Sequence, residues 1–224
     1  MLKQLRKMVC AANKRFAHFG LKASTWGNVS GIERERGLVV VKPGDVPNKE
    51  LTPDDMIIVD LEGNIVEGVG ELPCDIVTHL RLYKAFSYVG GIANTRSTWA
   101  TISAQAGLPI PAYGTTHLEL FKGEIPCTRG LSDHEIYSGY DLSVGNVIVE
   151  TFSNIDYMAV PGVLVKSHTP FAWGENPMQA VQNVAMLENL AKMAYRTRVV
   201  SKLHGVDLEP ISKALVDTKS LGES

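Results

Sequence analysis

Residues 37–67 read GLVVVKPGDVPNKELTPDDMIIVDLEGNIVE, and this stretch decides the fold class. Runs of β-branched and aliphatic residues at 38–41, 56–60 and 65–67 are separated by segments rich in Pro, Gly, Asn and Asp, which is the pattern of strands joined by turns. The short turn Glu62-Gly63-Asn64 makes a hairpin of the last two runs. The sequence therefore predicts an antiparallel sheet rather than repeated strand–helix–strand units.

Helices are predicted on both sides of this stretch, because apolar residues recur there at steps of three and four. These helices span 2–19, 75–86, 97–105 and 177–204. Further strands are predicted over 26–31, 90–94, 146–152 and 162–166. Since there is no internal repeat and no linker, we predict one domain over 1–224 with an α/β fold, an α+β three-layer sandwich in which helices flank a central, mainly antiparallel sheet.

The composition excludes several classes of protein. The chain has 224 residues, 45% of them hydrophobic, and a net charge of −2, so neither a nucleic acid nor an anionic membrane is an expected partner. No stretch approaches the roughly 20 apolar residues of a membrane helix, and the N-terminus lacks the pattern of a signal peptide. Three cysteines form no closed disulfide framework, which indicates the reducing cytoplasm.

Eight short strings, taken in order and spacing, resemble the L-ribulose-5-phosphate 4-epimerases of the class II aldolase/adducin superfamily. They are TWGNVS (25–30), VKP (41–43), DIVTH (75–79), GGI (90–92), GTTH (114–117), IPCTR (125–129), GNVIVETF (145–152) and SHTPFAWG (167–174). The resemblance runs to about residue 195. It implies an antiparallel sheet flanked by helices, a homotetramer with active sites at the subunit boundaries, a phosphorylated ketopentose as substrate, and zinc as cofactor.

The resemblance also implies where the zinc ligands should be, and two of those positions are altered. In the family, zinc is held by imidazoles and a carboxylate, and it stabilises an enediolate. The carboxylate position is Asp75 and one imidazole is His168, but the His-x-His pair reads Asn94-Thr95-Arg96. An amide is a poor zinc ligand and a guanidinium cannot donate a lone pair. Asp75 and His168 supply two ligands where a catalytic zinc normally has three, so we expect impaired zinc catalysis, and an ion pair between Arg96 and Asp75 could close the site.

The positions that should bind substrate are partly kept. The resemblance implies that Asn28 and Lys42 contact the phosphate or the enediolate, and both are present. Small residues near the phosphate read Gly44-Asp45 and Pro73-Cys74, so a carboxylate at Asp45 would repel a phosphate unless it turns outward. The remaining candidates are Glu119 at the acid/base position and Lys219 in place of a histidine that the family's C-terminal segment gives to the neighbouring subunit.

Each candidate also has a structural interpretation. Asp75 would be a helix N-cap, while His79 and His117 would be hydrogen-bonded structural residues. Cys74 could also join Asp75 and His168 as a soft metal ligand.

Two functions therefore remain open. One is a sugar-phosphate epimerase or aldolase, including a metal-free variant with Arg96 or Lys166 as electrophile. The other is a non-catalytic oligomeric scaffold or binding protein on the same fold.

Overall fold

A computed structural model describes residues 1–21 and 27–212, and its centre is a seven-stranded sheet. The strands are β1 (Asn28–Glu33), β2 (Leu38–Val41), β3 (Ile57–Asp60), β4 (Ile65–Glu67), β5 (Gly91–Asn94), β6 (Gly162–Leu164) and β7 (Pro170–Gly174). Their order across the sheet is β4-β3-β2-β1-β5-β7-β6, and every neighbouring pair is antiparallel. The predicted antiparallel sheet is confirmed.

Helices cover both faces of this sheet. Within the described residues they are α1 (Lys3–Arg15), α2 (Ile76–Ala85), α3 (Thr98–Ala106), α4 (Thr115–Leu118), α5 (Asp133–Thr151) and α6 (Pro177–His204), with a 3₁₀ turn at Phe16–Phe19. All four predicted helices are found. In the described part of the chain, no helix is long and apolar enough to cross a membrane.

The core consists of two apolar layers, one on each face of the sheet. Along β2, Val39 and Val41 face a layer shared with α2, α3 and α5, while Val40 faces the layer under α1. This alternation is the two-residue period of a strand that is buried on both sides. The three-layer sandwich expected from the sequence is therefore observed.

One strand prediction is wrong. Residues 146–152 form the last part of α5 and the residue that caps it, although Val147, Ile148 and Val149 favour strands. Val144, Val147 and Ile148 are buried at helical spacing, so tertiary packing of α5 against α2 overrides the local preference. Three further elements were not predicted from the sequence, namely α4, β7 and the first half of α5.

A close backbone contact fixes where β5 lies. A Cβ atom on Gly91 would lie 2.4 Å from the carbonyl carbon of Asn176 and from the nitrogen of Pro177, where α6 begins. Only glycine allows this approach. β5 is thereby packed directly on the start of α6, and its last residue, Asn94, reaches the cleft described below.

Candidate functional site

A polar cavity of about 380 Å³ lies where β1, β2 and β5 meet the start of α2. Its lining includes eight positions that the sequence analysis selected: Asn28, Lys42, Gly44, Cys74, Asp75, Asn94, Arg96 and His168. These residues come from separate segments of the chain. The structure therefore brings together the candidate substrate and metal positions in one cleft.

Asp75 lies at the centre of the hydrogen bonds in the cleft. Its Oδ1 accepts from Nδ2 of Asn28 at 3.2 Å, and its Oδ2 accepts from Nδ2 of Asn94 at 2.6 Å. The two amides are neighbours because β1 and β5 pair Asn28 with Asn94. Asp75 was also predicted to be a helix N-cap, and it does occupy the N-cap position of α2. Its side chain makes no capping hydrogen bond there, so that part of the prediction is wrong. The ion pair of Asp75 with Arg96 stays a prediction.

Behind Asn94 lies a fully buried histidine. The ring of His79 hydrogen-bonds Ser30 Oγ through Nδ1 at 2.8 Å and Asn94 Oδ1 through Nε2 at 3.2 Å. Burial lowers the pKa of His79, with Asp75 and the bond to Asn94 acting in the opposite direction. His79 is thus a hydrogen-bonded structural residue, as predicted, but one that is connected to the cleft.

Lys42 brings a buried cation to the cleft. The residue is 1% exposed, and its described hydrogen bond is a long one, 3.3 Å from Nζ to the carbonyl oxygen of Pro43. Burial lowers the pKa of Lys42, and the charges of Asp75 and Asp45 oppose that shift. The Asp45 side chain is exposed and lines a different surface cavity, so it does turn away from the cleft.

His168 also lines the cleft, and it lies in the turn between β6 and β7. Ser167, just before it, has a positive φ of 62°, which shapes this turn. Burial and the charge of Arg96 lower the pKa of His168, against the influence of Asp75. The Tyr140 ring and the imidazole pack in a T-shaped arrangement, with the ring centroids 5.6 Å apart. A neutral imidazole therefore faces the cleft beside an exposed guanidinium.

The donor set does not fit the zinc that the resemblance implies. Over 1–21 and 27–212, no three His, Cys, Asp or Glu side chains form a group that could hold a metal ion. Both Asp75 oxygens and the Asn94 oxygen already accept hydrogen bonds. The combination of Cys74, Asp75 and His168 is not such a group either. The Cys74 residue is exposed to solvent on one side, and the protein atoms on its other side, together with the charge of Asp75, raise the pKa of its thiol.

Three polar residues of the cleft were not predicted from the sequence, namely Glu71, Asp141 and Thr169. Asp141 lines the cavity, and burial and the charge of Asp75 raise its pKa. Thr169 also lines the cavity, and its buried Oγ1 meets no partner among the described residues. Asp141 lies in α5, just after a kink at Gly139, where φ is 149°. Because this helix was not predicted over 133–145, nothing in the sequence pattern directed Asp141 to the cleft.

Other predicted residues lie away from the cleft. Glu119 follows α4, is exposed and is not part of the lining, so its acid/base role stays a prediction. His117 is buried and hydrogen-bonds the carbonyl oxygen of Gly123 at 2.8 Å, as expected of a structural residue. Lys166 is exposed and is also absent from the lining. Lys219 lies outside the described residues.

The fold, a seven-stranded antiparallel sheet between two helical layers, is that of the class II aldolases, as comparison with known proteins shows. The family model of the class II aldolase and adducin N-terminal domain matches residues 7–195, and the chain belongs to this family. An L-fuculose 1-phosphate aldolase has a TM-score of 0.76 at 18% identity, over 98% of this chain and 95% of its own. YgbL, a putative aldolase/epimerase/decarboxylase from Escherichia coli, has a TM-score of 0.72 at 18% identity, over 99% of both chains. The L-fuculose-1-phosphate aldolase from Thermus thermophilus has a TM-score of 0.69 at 20% identity, over 90% of this chain and 99% of its own. At these identities the similarities show the fold alone.

Proposed function

We propose that the protein is a homologue of L-ribulose-5-phosphate 4-epimerase that binds a phosphorylated ketopentose in this cleft, with its zinc-dependent catalysis impaired. The observation that carries the proposal is the buried ammonium of Lys42 at the cleft wall. A buried cation requires anionic or hydrogen-bonding partners, because its desolvation is costly. A phosphate group supplies both.

The neutral part of the cleft suits a polyol. Asn28 is 1% exposed, and in the described part of the chain its Oδ1 has no hydrogen-bond donor. The Oγ1 atom of Thr169 is similarly unpartnered there. Buried polar atoms without partners are costly, and ligand hydroxyl groups would satisfy both of these atoms. The ammonium of Lys42 and these two unpartnered atoms on the same lining thus favour a ligand that has an anion and several hydroxyls.

In the metal-free variant, the chemistry would rest on protein groups of the lining. Arg96 is an exposed guanidinium on the lining and is the candidate electrophile for a developing oxyanion. Asp75 and Asp141 are carboxyl groups on the same lining and are candidates for proton transfer. Glu119 would contribute only if a neighbouring copy brought it to the cleft, so its role depends on the proposed homotetramer.

A second candidate is a non-catalytic oligomeric binding protein on the same fold. It is favoured by the engagement of Asn94, whose amide donates to Asp75 at one end and accepts from His79 at the other. The bond from Asn94 occupies Oδ2 of Asp75, a candidate for proton transfer, and this weakens the case for reaction chemistry at that carboxyl group. Under this alternative, the protein binds the ligand but does not convert it.

The deciding experiment combines metal analysis, binding and turnover. The protein is expressed in zinc-supplemented medium, bound metal per subunit is measured, L-ribulose 5-phosphate is titrated by calorimetry, and epimerisation at C4 is assayed. We expect binding with far less than one zinc per subunit. Near-stoichiometric zinc would contradict the proposal that the metal site is impaired. Absence of binding would contradict the proposal that a phosphorylated ketopentose is the ligand. Binding without turnover selects the binding protein.

A further inference from the structure

A line of buried side chains runs from the core to the carboxyl group of Asp75. The successive distances are 2.9 Å from Tyr83 Oη to Ser30 Oγ, 2.8 Å from Ser30 Oγ to His79 Nδ1, 3.2 Å from His79 Nε2 to Asn94 Oδ1, and 2.6 Å from Asn94 Nδ2 to Asp75 Oδ2. These five residues, with the four hydrogen bonds that join them, are called the relay below. Ser30, His79 and Tyr83 are at most 1% exposed.

The direction of every hydrogen bond in the relay follows from its last member. The amide nitrogen of Asn94 can only donate, so it faces the Asp75 oxygen and turns its own oxygen toward His79. An amide oxygen can only accept, so Nε2 of His79 must carry a proton. The opposite amide orientation would place two oxygens against each other at 2.6 Å.

The rest of the relay is then determined. Burial of the His79 ring disfavours a charged imidazolium, so Nδ1 carries no proton and accepts from the hydroxyl of Ser30. The Ser30 oxygen in turn accepts from the hydroxyl of Tyr83. All four donors therefore point toward Asp75, and such aligned hydrogen bonds polarise and strengthen one another.

The ring of His79 is also held by packing. The Phe171 ring and the imidazole pack in a T-shaped arrangement, with ring centroids 5.9 Å apart and an interplanar angle of 74°. On the far side of Asp75, the amide of Asn28 donates to the second carboxyl oxygen. The Asp75 side chain is thus held at both oxygens by neutral donors, and one of these donors is oriented from inside the core.

We propose that His79 is a positioning residue which, through Asn94, holds the Asp75 carboxyl group in one orientation toward the cleft. The side chains that hold Asp75 have rotamers that are fixed by packing in the core. Such support keeps the geometry of a binding site constant. The inference rests on the proposed function in one respect: the second test below uses the proposed ligand, whose affinity reports whether Asp75 is held in place.

The first test needs no ligand. Nitrogen-15 NMR of the full chain at neutral pH should show His79 as the neutral tautomer protonated at Nε2, and the side-chain amide protons of Asn94 should exchange slowly with solvent. In His79→Leu the Asn94 amide protons should exchange at least about tenfold faster, because the oxygen end of the amide loses its donor. In His79→Gln, whose amide nitrogen replaces Nε2, the slow exchange should return.

A matched control separates positioning from general loss of stability. His117→Leu removes another buried, hydrogen-bonded histidine that lies outside the cleft lining, so it should leave the Asn94 signals unchanged. A charged His79, a tautomer protonated at Nδ1, or equal effects of the two leucine variants would each overturn the proposal. If His79→Leu does not fold, the tautomer of His79 in the unmodified protein still tests the proposal.

The second test uses L-ribulose 5-phosphate as the probe. Its affinity should fall about tenfold in His79→Leu and recover in His79→Gln, because loss of one buried hydrogen bond is felt through Asp75. Unchanged affinity in His79→Leu would overturn the proposal. If the unmodified protein does not bind the probe, the proposed function fails, whereas the NMR result still decides whether the relay exists.

Discussion

Nδ2 of Asn94 lies 2.6 Å from Oδ2 of Asp75, so two positions that the family resemblance assigns to metal binding are hydrogen-bonded to each other. A metal ion at this place would have to displace the amide from the carboxyl group. If the ion used Asn94 Oδ1 as a ligand, it would also remove that oxygen from its hydrogen bond with His79. The substitution at position 94 therefore replaces a ligand by a group that satisfies its neighbours, which is different from leaving a gap.

The double variant Asn94→His plus Arg96→His should raise the zinc content toward one ion per subunit. Three imidazoles and the Asp75 carboxylate would then be available, whereas each single variant supplies one imidazole fewer. Metal per subunit, measured by mass spectrometry after dialysis against zinc, checks this prediction. Arg36→His, on an exposed turn, is the control for a histidine added elsewhere. A double variant that still binds no zinc would mean that the surrounding backbone no longer allows the coordination geometry.

Lys42→Met should weaken the binding of L-ribulose 5-phosphate by about 10- to 100-fold. A hydrogen bond to a charged group contributes about 1.5–3 kcal/mol, and the methionine keeps most of the buried volume. Calorimetric titration measures the change. Lys49→Met, at a side chain that is 83% exposed, is the matched control and should bind as the unmodified protein does. Equal affinities of the two variants would remove Lys42 from the binding site.

The strand pairing was predictable from sequence because its signals are local. The runs at 38–41, 56–60 and 65–67 carry their own turns, and the structure has strands at each of them. Residues 146–152 are the counter-example. Their β-branched side chains favour a strand, but a capping box at Ser132 and Glu135 begins a helix that continues through them. Which preference prevails depends on the packing of α5 on α2, and a single sequence does not reveal that contact.

The cleft was predictable only where the resemblance supplied residue positions. Asn28, Asp75 and His168 were found together in it because the strings that hold them are intact. Asp141 was missed, since its position depends on the kink at Gly139. The function of His79 was also out of reach, because the bond to Asn94 joins two segments of the chain and has no pattern of its own.

Acid should destabilise the protein partly through His117. Burial lowers its folded-state pKa below the usual 6.5, although its bond to Gly123 opposes this shift. The unfolded chain therefore binds the proton first, so the free energy of unfolding falls as pH drops below about 6.5. The contribution of one such histidine is at most about 1.4 kcal/mol per pH unit, and it ends once pH is below the folded-state pKa.

The measurement is urea unfolding at about pH 7.5 and about pH 5.5, on either side of the usual histidine pKa. His117→Gln should lose less stability between these two pH values than the unmodified protein does. His134→Gln, at an exposed position of α5, controls for removing an imidazole from the surface. If His117→Gln loses as much stability on acidification as the unmodified protein, then protonation of His117 does not contribute to the acid destabilisation.

Gly91→Ala should destabilise the fold by about 1–3 kcal/mol or more, since the new methyl group would lie 2.4 Å from backbone atoms of Asn176 and Pro177. Backbone cannot move aside as a flexible side chain can, so either β5 or the start of α6 must shift. Gly114→Ala is the matched control, because a Cβ atom there meets nothing within 4 Å. Urea unfolding of both variants measures the free-energy difference.

The same variant should also disturb the cleft. Asn94 is the last residue of β5, so a displaced strand moves its amide relative to Asp75, which is held separately at the start of α2. Gly91→Ala should therefore weaken ligand binding as well as stability, while Gly114→Ala should change neither. Full stability in Gly91→Ala would contradict the tight contact. If the variant loses stability but its affinity for the ligand is unchanged, then the Asn94–Asp75 bond tolerates movement of β5. In that case the Asp75 carboxyl group moves together with the Asn94 amide.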